Sequence, residues 1–261
     1  HSSSFKITTT IYREYGVERI QQSFDPPGSR RLLNKIFVCG YGVQRAGNND
    51  WSYRKYSTLE AVYTLFRYDA SLQDPEKIIR RRSYKTRRTI FKKMEKVLLL
   101  DLFEKGYGLR PHIGLVRNGI MAEGPWGKML INEVSDGYWS TFCWLVDYIG
   151  WQFYARPRLS IERDGLSGIL LLDELELHLH PNWQRFIAQR IQRQFPRVQF
   201  ITTTHSPLTA AGVSDMSDSA QLIALKMEDN RIVANQNLPS LRGMRADQVL
   251  TSDAFGLPIS V

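Results

Sequence analysis

The sequence predicts an α/β protein whose mostly parallel sheet carries a ligand-binding edge, with a helical lobe and a β-hairpin inserted. Three observations predict this. Ile169-Leu170-Leu171-Leu172 is an apolar run of the length of a buried parallel strand. A helix opened by Pro181 follows it and carries Trp183, Phe186, Ile187 and Ile191 on one face. Val198-Gln199-Phe200-Ile201 then supplies a second buried strand, so strand, helix and strand make a parallel crossover unit.

The earlier elements follow in order. Residues 4–12, SFKITTTIY, read as a strand by their β-branched and aromatic content, and Asp25-Pro26-Pro27-Gly28 as a turn. Ile36-Phe37-Val38-Cys39 is a strand that leaves the sheet through Gly40-Tyr41-Gly42. Asp74-Pro75-Glu76 opens a helix, because Asp caps, Pro suits the first helical position and the acid favours the positive end. The helical pattern runs from Pro75 to Phe103 and breaks near Ser83. Asn118-Gly119 between Ile113–Val116 and Ile120-Met121 signals a hairpin. After Ser135-Asp136-Gly137, the spacing of Phe142, Leu145, Val146, Ile149 and Phe153 predicts a long amphipathic helix. One domain is expected, with a sheet-containing lobe of residues 1–44 and 165–261 and a helical lobe of residues 45–164.

Composition narrows the class. With 43% hydrophobic residues the chain can build a core, and disorder is not the default. Runs such as Val97–Leu100 are far too short to span a bilayer, and no secretory signal opens the chain. Cys39 and Cys143 lie far apart in apolar contexts, which predicts buried thiols in a reducing compartment, the cytoplasm. The net charge is +9 and is not spread evenly. Between Arg80 and Lys96 stand nine basic residues (Arg80, Arg81, Arg82, Lys85, Arg87, Arg88, Lys92, Lys93, Lys96) against the single acid Glu95, which points to DNA, RNA or an acidic partner; a solvated helix face is the plainer reading. Tyr84 and Phe91 are expected to pack inward rather than to stack on bases.

The chemistry concentrates in LLLDE. Acids that appear where a buried parallel strand emerges at its C-terminal edge stand where α/β proteins bind ligands. Asp173 there suits Mg²⁺, which takes hard oxygen donors, and Glu174 suits the deprotonation of a water attacking a phosphate. His205, at the end of the next strand, reaches the same edge in a crossover unit and can sense a phosphate or water. Ser135 and Gly137 at a helix start offer an anion site; a capping serine or aspartate and a tight turn is the plainer reading of the residues alone.

In chain order, VSDGYWST, GILLLDELELHLHP and QFITTTHSP resemble the signature loop, the Walker B strand with its D-loop, and the switch-histidine loop of ABC/SMC-like ATPases. The DExELHLHP form is similar to the AAA-type ATPases of the OLD, RecF-like and Septu or retron-associated defence group. FVCGYGVQR, YTLFRYDASLQDPEKI and MRADQVLTSDAFGL resemble further stretches of that group, with Gln44 in the Q-loop place. The resemblance implies ATP and Mg²⁺ as cofactors, Asp173 for the metal, Glu174 as catalytic base and His205 as γ-phosphate sensor. It also implies that Ser135 and Gly137 contact the nucleotide of a partner subunit, hence a head-to-tail dimer or higher oligomer that restrains or licenses an effector such as an HNH nuclease in anti-phage defence.

Nothing in the sequence matches G-x-x-x-x-G-K-[ST], the loop that cradles phosphates. In the resembled family that loop lies upstream of the Q-loop strand. The chain opens on His1, so it is expected to be a piece lacking the first strand and P-loop; a degenerate ATPase is the alternative. Alone it is expected to hydrolyse ATP poorly or not at all. Two further readings stay open: a catalytically dead scaffold binding nucleic acid or protein, and a metal-dependent nuclease in which Glu174, Glu176, His178 and His180 line one face of an extended strand.

Overall fold

Strand β7 (Ser167–Leu172) lies between β3 (Val38–Tyr41) and β8 (Arg197–Thr202), parallel to both, with Leu172 beside Tyr41 and Thr202 at the C-terminal edge. The computed structural model describes residues 6–14, 17–25, 36–45, 57–67, 70, 72–100, 111–161, 165–216, 220–229 and 231–256, the first two stretches by backbone alone. The chain divides into two units, His1–Phe37 and Val38–Val261. In the first, β1 (Lys6–Glu14) pairs antiparallel with β2 (Val17–Asp25), from Lys6 opposite Asp25 to Glu14 opposite Val17. Only β1 of this pair was anticipated, and residues 26–28 of the expected turn lie outside the described residues.

In the second unit, α1 (Thr58–Ala61) and a 3₁₀ turn (Tyr63–Leu65) pack against β3. Helix α2 (Pro75–Arg80) starts where the sequence predicts, with the Asp74 carboxylate accepting from the Glu76 N–H at 2.8 Å. The expected break is a second start: Ser83 caps α3 (Tyr84–Leu98), its Oγ accepting from the Thr86 N–H. Residues 101–103, where that helix was expected to end, are outside the described residues. Strands β4 (His112–Val116), β5 (Gly119–Gly124) and β6 (Gly127–Leu130) form an antiparallel meander whose first loop is Arg117-Asn118. A short α4 (Ile131–Val134) leads into α5 (Asp136–Ala155).

Helix α5 departs from expectation. It is buried on nearly every side, with Phe142, Trp144, Leu145, Tyr148, Ile149 and Trp151 among the most enclosed side chains of the core. Packing against α2, α3 and β3 makes it a central element rather than an amphipathic one. Its one carboxylate inside the core, Asp147, accepts from the Tyr41 hydroxyl at 2.8 Å and from the Gln73 backbone and side-chain N–H groups at 3.1 and 3.0 Å. At its far end the Gln152 amide and Tyr148 hydroxyl donate to the Ser167 carbonyl, fixing α5 to the start of β7.

Between β7 and β8 the expected single helix is two: α6 (Pro181–Gln184) and α7 (Ile187–Gln194). Ile187 and Ile191 are buried as expected, whereas Phe186, at the break, is 45% exposed. At that break the Arg185 carbonyl lies against Gly212 of α8 (Pro207–Ser214), where a Cβ would stand 1.8 Å from it. β8 is not the fully buried strand expected: among the described residues it lies at the edge of the sheet, alternate residues point outward, and Ile201 is half exposed. Beyond α8, a hairpin of β9 (Ala224–Glu228) and β10 (Arg231–Asn235) precedes α9 (Ala246–Leu250), whose Val249 joins Ala210, Ala211 and Leu241 in a small core. Cys39 and Cys143 are buried and form no disulfide. Among the described residues no helix is long and apolar enough to cross a membrane.

Candidate functional site

The β3–β7–β8 ladder carries its hydrogen bonds one step past the strands. The Asp173 N–H donates to the Tyr41 carbonyl at 2.9 Å, and the Thr203 N–H donates to the Leu172 carbonyl at 3.1 Å. Asp173 and Thr203 therefore stand side by side at the C-terminal edge. The Thr203 hydroxyl donates to Asp173 Oδ1 at 2.5 Å and accepts from the Glu174 N–H at 2.8 Å. One hydroxyl thus holds both the Asp173 carboxylate and the Glu174 backbone.

Glu174 adopts φ +48°, a left-handed conformation that costs a non-glycine residue on the order of 1 kcal/mol or more. Three contacts hold it there: the bond to Thr203, a bond from the Leu177 N–H to the Glu174 carbonyl, and one from Arg45. The Arg45 guanidinium is 4% exposed and donates to the carbonyls of Gly42, Asp173 and Glu174. Burial pulls its pKa down to about 10, opposed by the nearby carboxylates of Asp173, Glu176 and Glu174. Gln44, the residue singled out by position, is exposed beside it. Arg45 is the residue that sequence reasoning missed.

Glu176 was also missed in this role. Its carboxylate accepts from the Thr204 hydroxyl at 2.6 Å and from the His205 and Ser206 N–H groups at 2.8 and 3.1 Å. It pins the loop that presents His205, whose ring is exposed. Ser206 then caps α8 through the Thr209 N–H and donates to Gln184, so the loop is fixed at both ends.

Ser135 caps α5, its Oγ accepting from the Tyr138 N–H at 3.3 Å, and Asp136 lies exposed in the first turn, where an acid suits the helix end. Gly137 is buried. A Cβ there would stand 2.4 Å from the carbonyl oxygen of His178, so the start of α5 packs backbone to backbone on the turn following the acids. Tyr138 extends this contact through edge-on rings to Trp183 and Trp126.

The one-face arrangement of Glu174, Glu176, His178 and His180 does not form. β7 ends at Leu172, Glu174 and His178 both take positive φ, Glu176 is occupied by the 204–206 loop, and His180 Nδ1 accepts from the Asn182 N–H as a helix cap. Among the described residues no group of three or more His, Cys, Asp or Glu side chains is gathered as a metal site. A single Mg²⁺ needs less. The Asp173 carboxylate, oriented by Thr203 and only partly buried at the edge, is the hard-oxygen donor that such an ion accepts alongside water and phosphate.

The basic segment divides by role. Arg80 donates to Glu76 and to the Val116 and Arg117 carbonyls, Arg82 lies 4.2 Å over the Phe153 ring, and Lys93 donates to the Gln194 carbonyl at the end of α7. Arg81 reaches Tyr154 at 3.5 Å, Arg87 is half-buried, and Lys85, Arg88, Lys92 and Lys96 are exposed. Phe91 packs inward as expected; Tyr84 does not, and is 74% exposed.

Residues 131–211 match the family model described as "AAA domain, putative AbiEii toxin, Type IV TA system". The chain is 41% identical over 91 residues to the Septu protein PtuA of Bacillus mycoides (strain KBAB4), covering 35% of this chain and 12% of that protein. It is 31% identical over 121 residues to the "Retron Vc95 probable ATPase" of Vibrio cholerae serotype O1 biovar El Tor, covering 46% of this chain and 22% of the other. The matches thus span less than a quarter of either relative's length. Among solved structures, the SMC head domain from Thermotoga maritima aligns over 90% of this chain and 74% of its own with TM-score 0.46 and 10% identity. The stretch matched by the family model holds the start of α5, the Asp173–Glu174 edge and the His205 loop, so the likeness to these defence-associated proteins falls on the residues of the candidate site.

Proposed function

We propose that this chain supplies the magnesium-holding, water-activating and phosphate-sensing side of an ATP-hydrolysing site, in a protein that dimerises on ATP and gates a partner effector in anti-phage defence. The observation that carries the reading is the Thr203 hydroxyl bonded to both Asp173 and Glu174, beside the loop that presents His205. Magnesium held at Asp173 would neutralise charge developing on the transferred phosphoryl group. The chain's own part is positional. Arg45 and Thr203 fix the backbone of Glu174, so that its carboxylate can take the proton of the attacking water. Glu176 holds His205 at the same edge, where its ring can register the presence of the γ-phosphate. Ser135, with the α5 N-terminus, would meet the nucleotide of a second subunit, and Gln44 stands exposed near the same acids.

The phosphates need a cradle of the G-x-x-x-x-G-K-[ST] kind, which these 261 residues do not contain, so the test uses the full-length gene product. Glu174→Gln should lower ATP turnover at least about a hundredfold while leaving ATP retention intact. Asp173→Asn should abolish the magnesium dependence of whatever turnover remains. Unchanged turnover in Glu174→Gln would overturn the catalytic assignment. Failure of the full-length protein to retain ATP would favour the inactive scaffold.

A further inference from the structure

We infer that the outward face of α3 is a docking surface for double-stranded nucleic acid, contacting its phosphate backbone without reading sequence. The face is defined by four cations, Lys85, Arg88, Lys92 and Lys96, all exposed. Spaced three and four residues apart on a helix of 15 residues, they fall within roughly 80° of its circumference and run for about 16 Å along its axis. The opposite face, Ile90, Phe91, Met94, Val97 and Leu98, is buried, so α3 is rigidly seated and the row has a fixed direction.

Among the described residues nothing neutralises the row. The only acid of the segment, Glu95, turns away to β4, where it accepts from the Ile113 N–H at 3.0 Å and pairs with His112 at 2.7 Å. None of the four cations has an ion pair among the described residues. Other basic residues of the segment are committed elsewhere: Arg80 to the β4–β5 loop, Arg82 to Phe153, Lys93 to the end of α7. Those left over are not a random remainder of a charged stretch but a straight line of like charge, which repels itself until a polyanion lies along it.

The composition of the face selects the partner. Protein interfaces are depleted of lysine and built around an apolar centre. Here three of four residues are lysine, and the one exposed aromatic of residues 80–96, Tyr84, stands at the row's N-terminal end. Single-strand platforms need successive stacking rings, and Phe91, the other aromatic of the segment, is buried. A rigid row of cations with a single ring fits the rigid phosphate ladder of a duplex.

The test measures retention of a short duplex DNA by the full-length gene product in the absence of nucleotide, across a salt series. Four phosphate contacts contribute a slope of about −3.6 in log K against log [salt], so a fourfold rise in salt costs their share about a hundredfold in affinity. Each substitution Lys85→Ala, Arg88→Ala, Lys92→Ala or Lys96→Ala should lower the slope by about one, whatever the DNA sequence. All four positions are exposed, so thermal midpoints should be unchanged, and this control separates lost binding from lost folding. Tyr84→Ala should leave duplex affinity within about twofold. A slope unchanged in the quadruple variant, tighter retention of the single strand of the same sequence, or retention of a polyglutamate peptide in place of DNA would each overturn the assignment. Glu174→Gln should bind duplex as the parent does, so the outcome is independent of the ATPase reading.

Discussion

The buried guanidinium of Arg45 donates to the backbone carbonyl of Glu174 at 2.8 Å, and with the same nitrogen to that of Asp173. A residue at the exit of β3 thereby sets the backbone of the two acids that follow β7. Arg45→Ala would leave the Gly42, Asp173 and Glu174 carbonyls without that donor, costing about 3 kcal/mol or more. Lysine cannot fork to several carbonyls, so Arg45→Lys should recover only part of the loss. Chemical denaturation of both variants gives the stability, and turnover of the full-length protein should fall further than the stability alone explains. Parent-like turnover in Arg45→Ala would end the positioning role.

Thr203 offers a cleaner separation of stability from chemistry. Its hydroxyl is exposed, so water can replace it in Thr203→Val, and the melting temperature should move little. The orientation of Asp173 and Glu174 is lost all the same, and turnover should fall about tenfold or more for geometry displaced by even 1 Å. Thr203→Ser, which keeps the hydroxyl, should restore it.

Two glycines are required by close backbone approach. Gly137→Ala places a methyl 2.4 Å from the His178 oxygen, and Gly212→Ala places one 1.8 Å from the Arg185 oxygen. Neither obstacle is a movable side chain, so each substitution should cost about 1–3 kcal/mol, with Gly212→Ala the worse. Equilibrium unfolding checks the order. By contrast, Gly243→Ala has open space at the Cβ position and strain only from its φ of +74°, so it should cost less.

Asp147 predicts a pH dependence. Burial raises its pKa to about 6, from an ordinary 3.8, although Tyr41, Gln73 and Trp151 all hydrogen-bond to it. The folded protein therefore holds this proton to a higher pH than the unfolded chain does. Its contribution to stability is full below the unfolded value and is lost as pH rises through 6, a change of roughly 3 kcal/mol at 1.36 kcal/mol per pKa unit. Asp147→Asn should flatten that part of the stability profile, measured by urea unfolding between about pH 4 and pH 6, the interval the two pKa values span. A profile with the same slope in the variant would place the titration elsewhere.

The crossover unit and the acidic edge were legible because each rests on local chemistry: an apolar run of strand length, acids at its exit and a proline-opened helix. Helix starts at Asp74 and Ser135 were written in capping residues that the structure uses as such. What was not legible depends on distance. Arg45 looks by type like a surface arginine, and only carbonyls 128 and 129 positions later make it a buried clasp. Helix α5 reads as amphipathic on its apolar spacing, yet partners on several sides bury it, with Gln152 and Asp147 satisfied by β7 and β3. Phe186 was assigned inward on helical period, and the break imposed at Arg185 turned it out. The basic segment was legible as a charge excess but not as three anchors and a row, because anchoring depends on the Phe153 ring and the carbonyls of Val116, Arg117 and Gln194.

The contact between Gly137 and His178 has a consequence for descent. With no room for even a methyl between them, position 137 can take a side chain only in a chain whose backbone at 178 has already moved, and that backbone follows directly on the acidic pair. Change at either position is permitted only in the company of the other. Across lineages the two loops should accordingly drift as a pair, and a chain found with one altered alone should be one that has also given up the chemistry at the sheet edge.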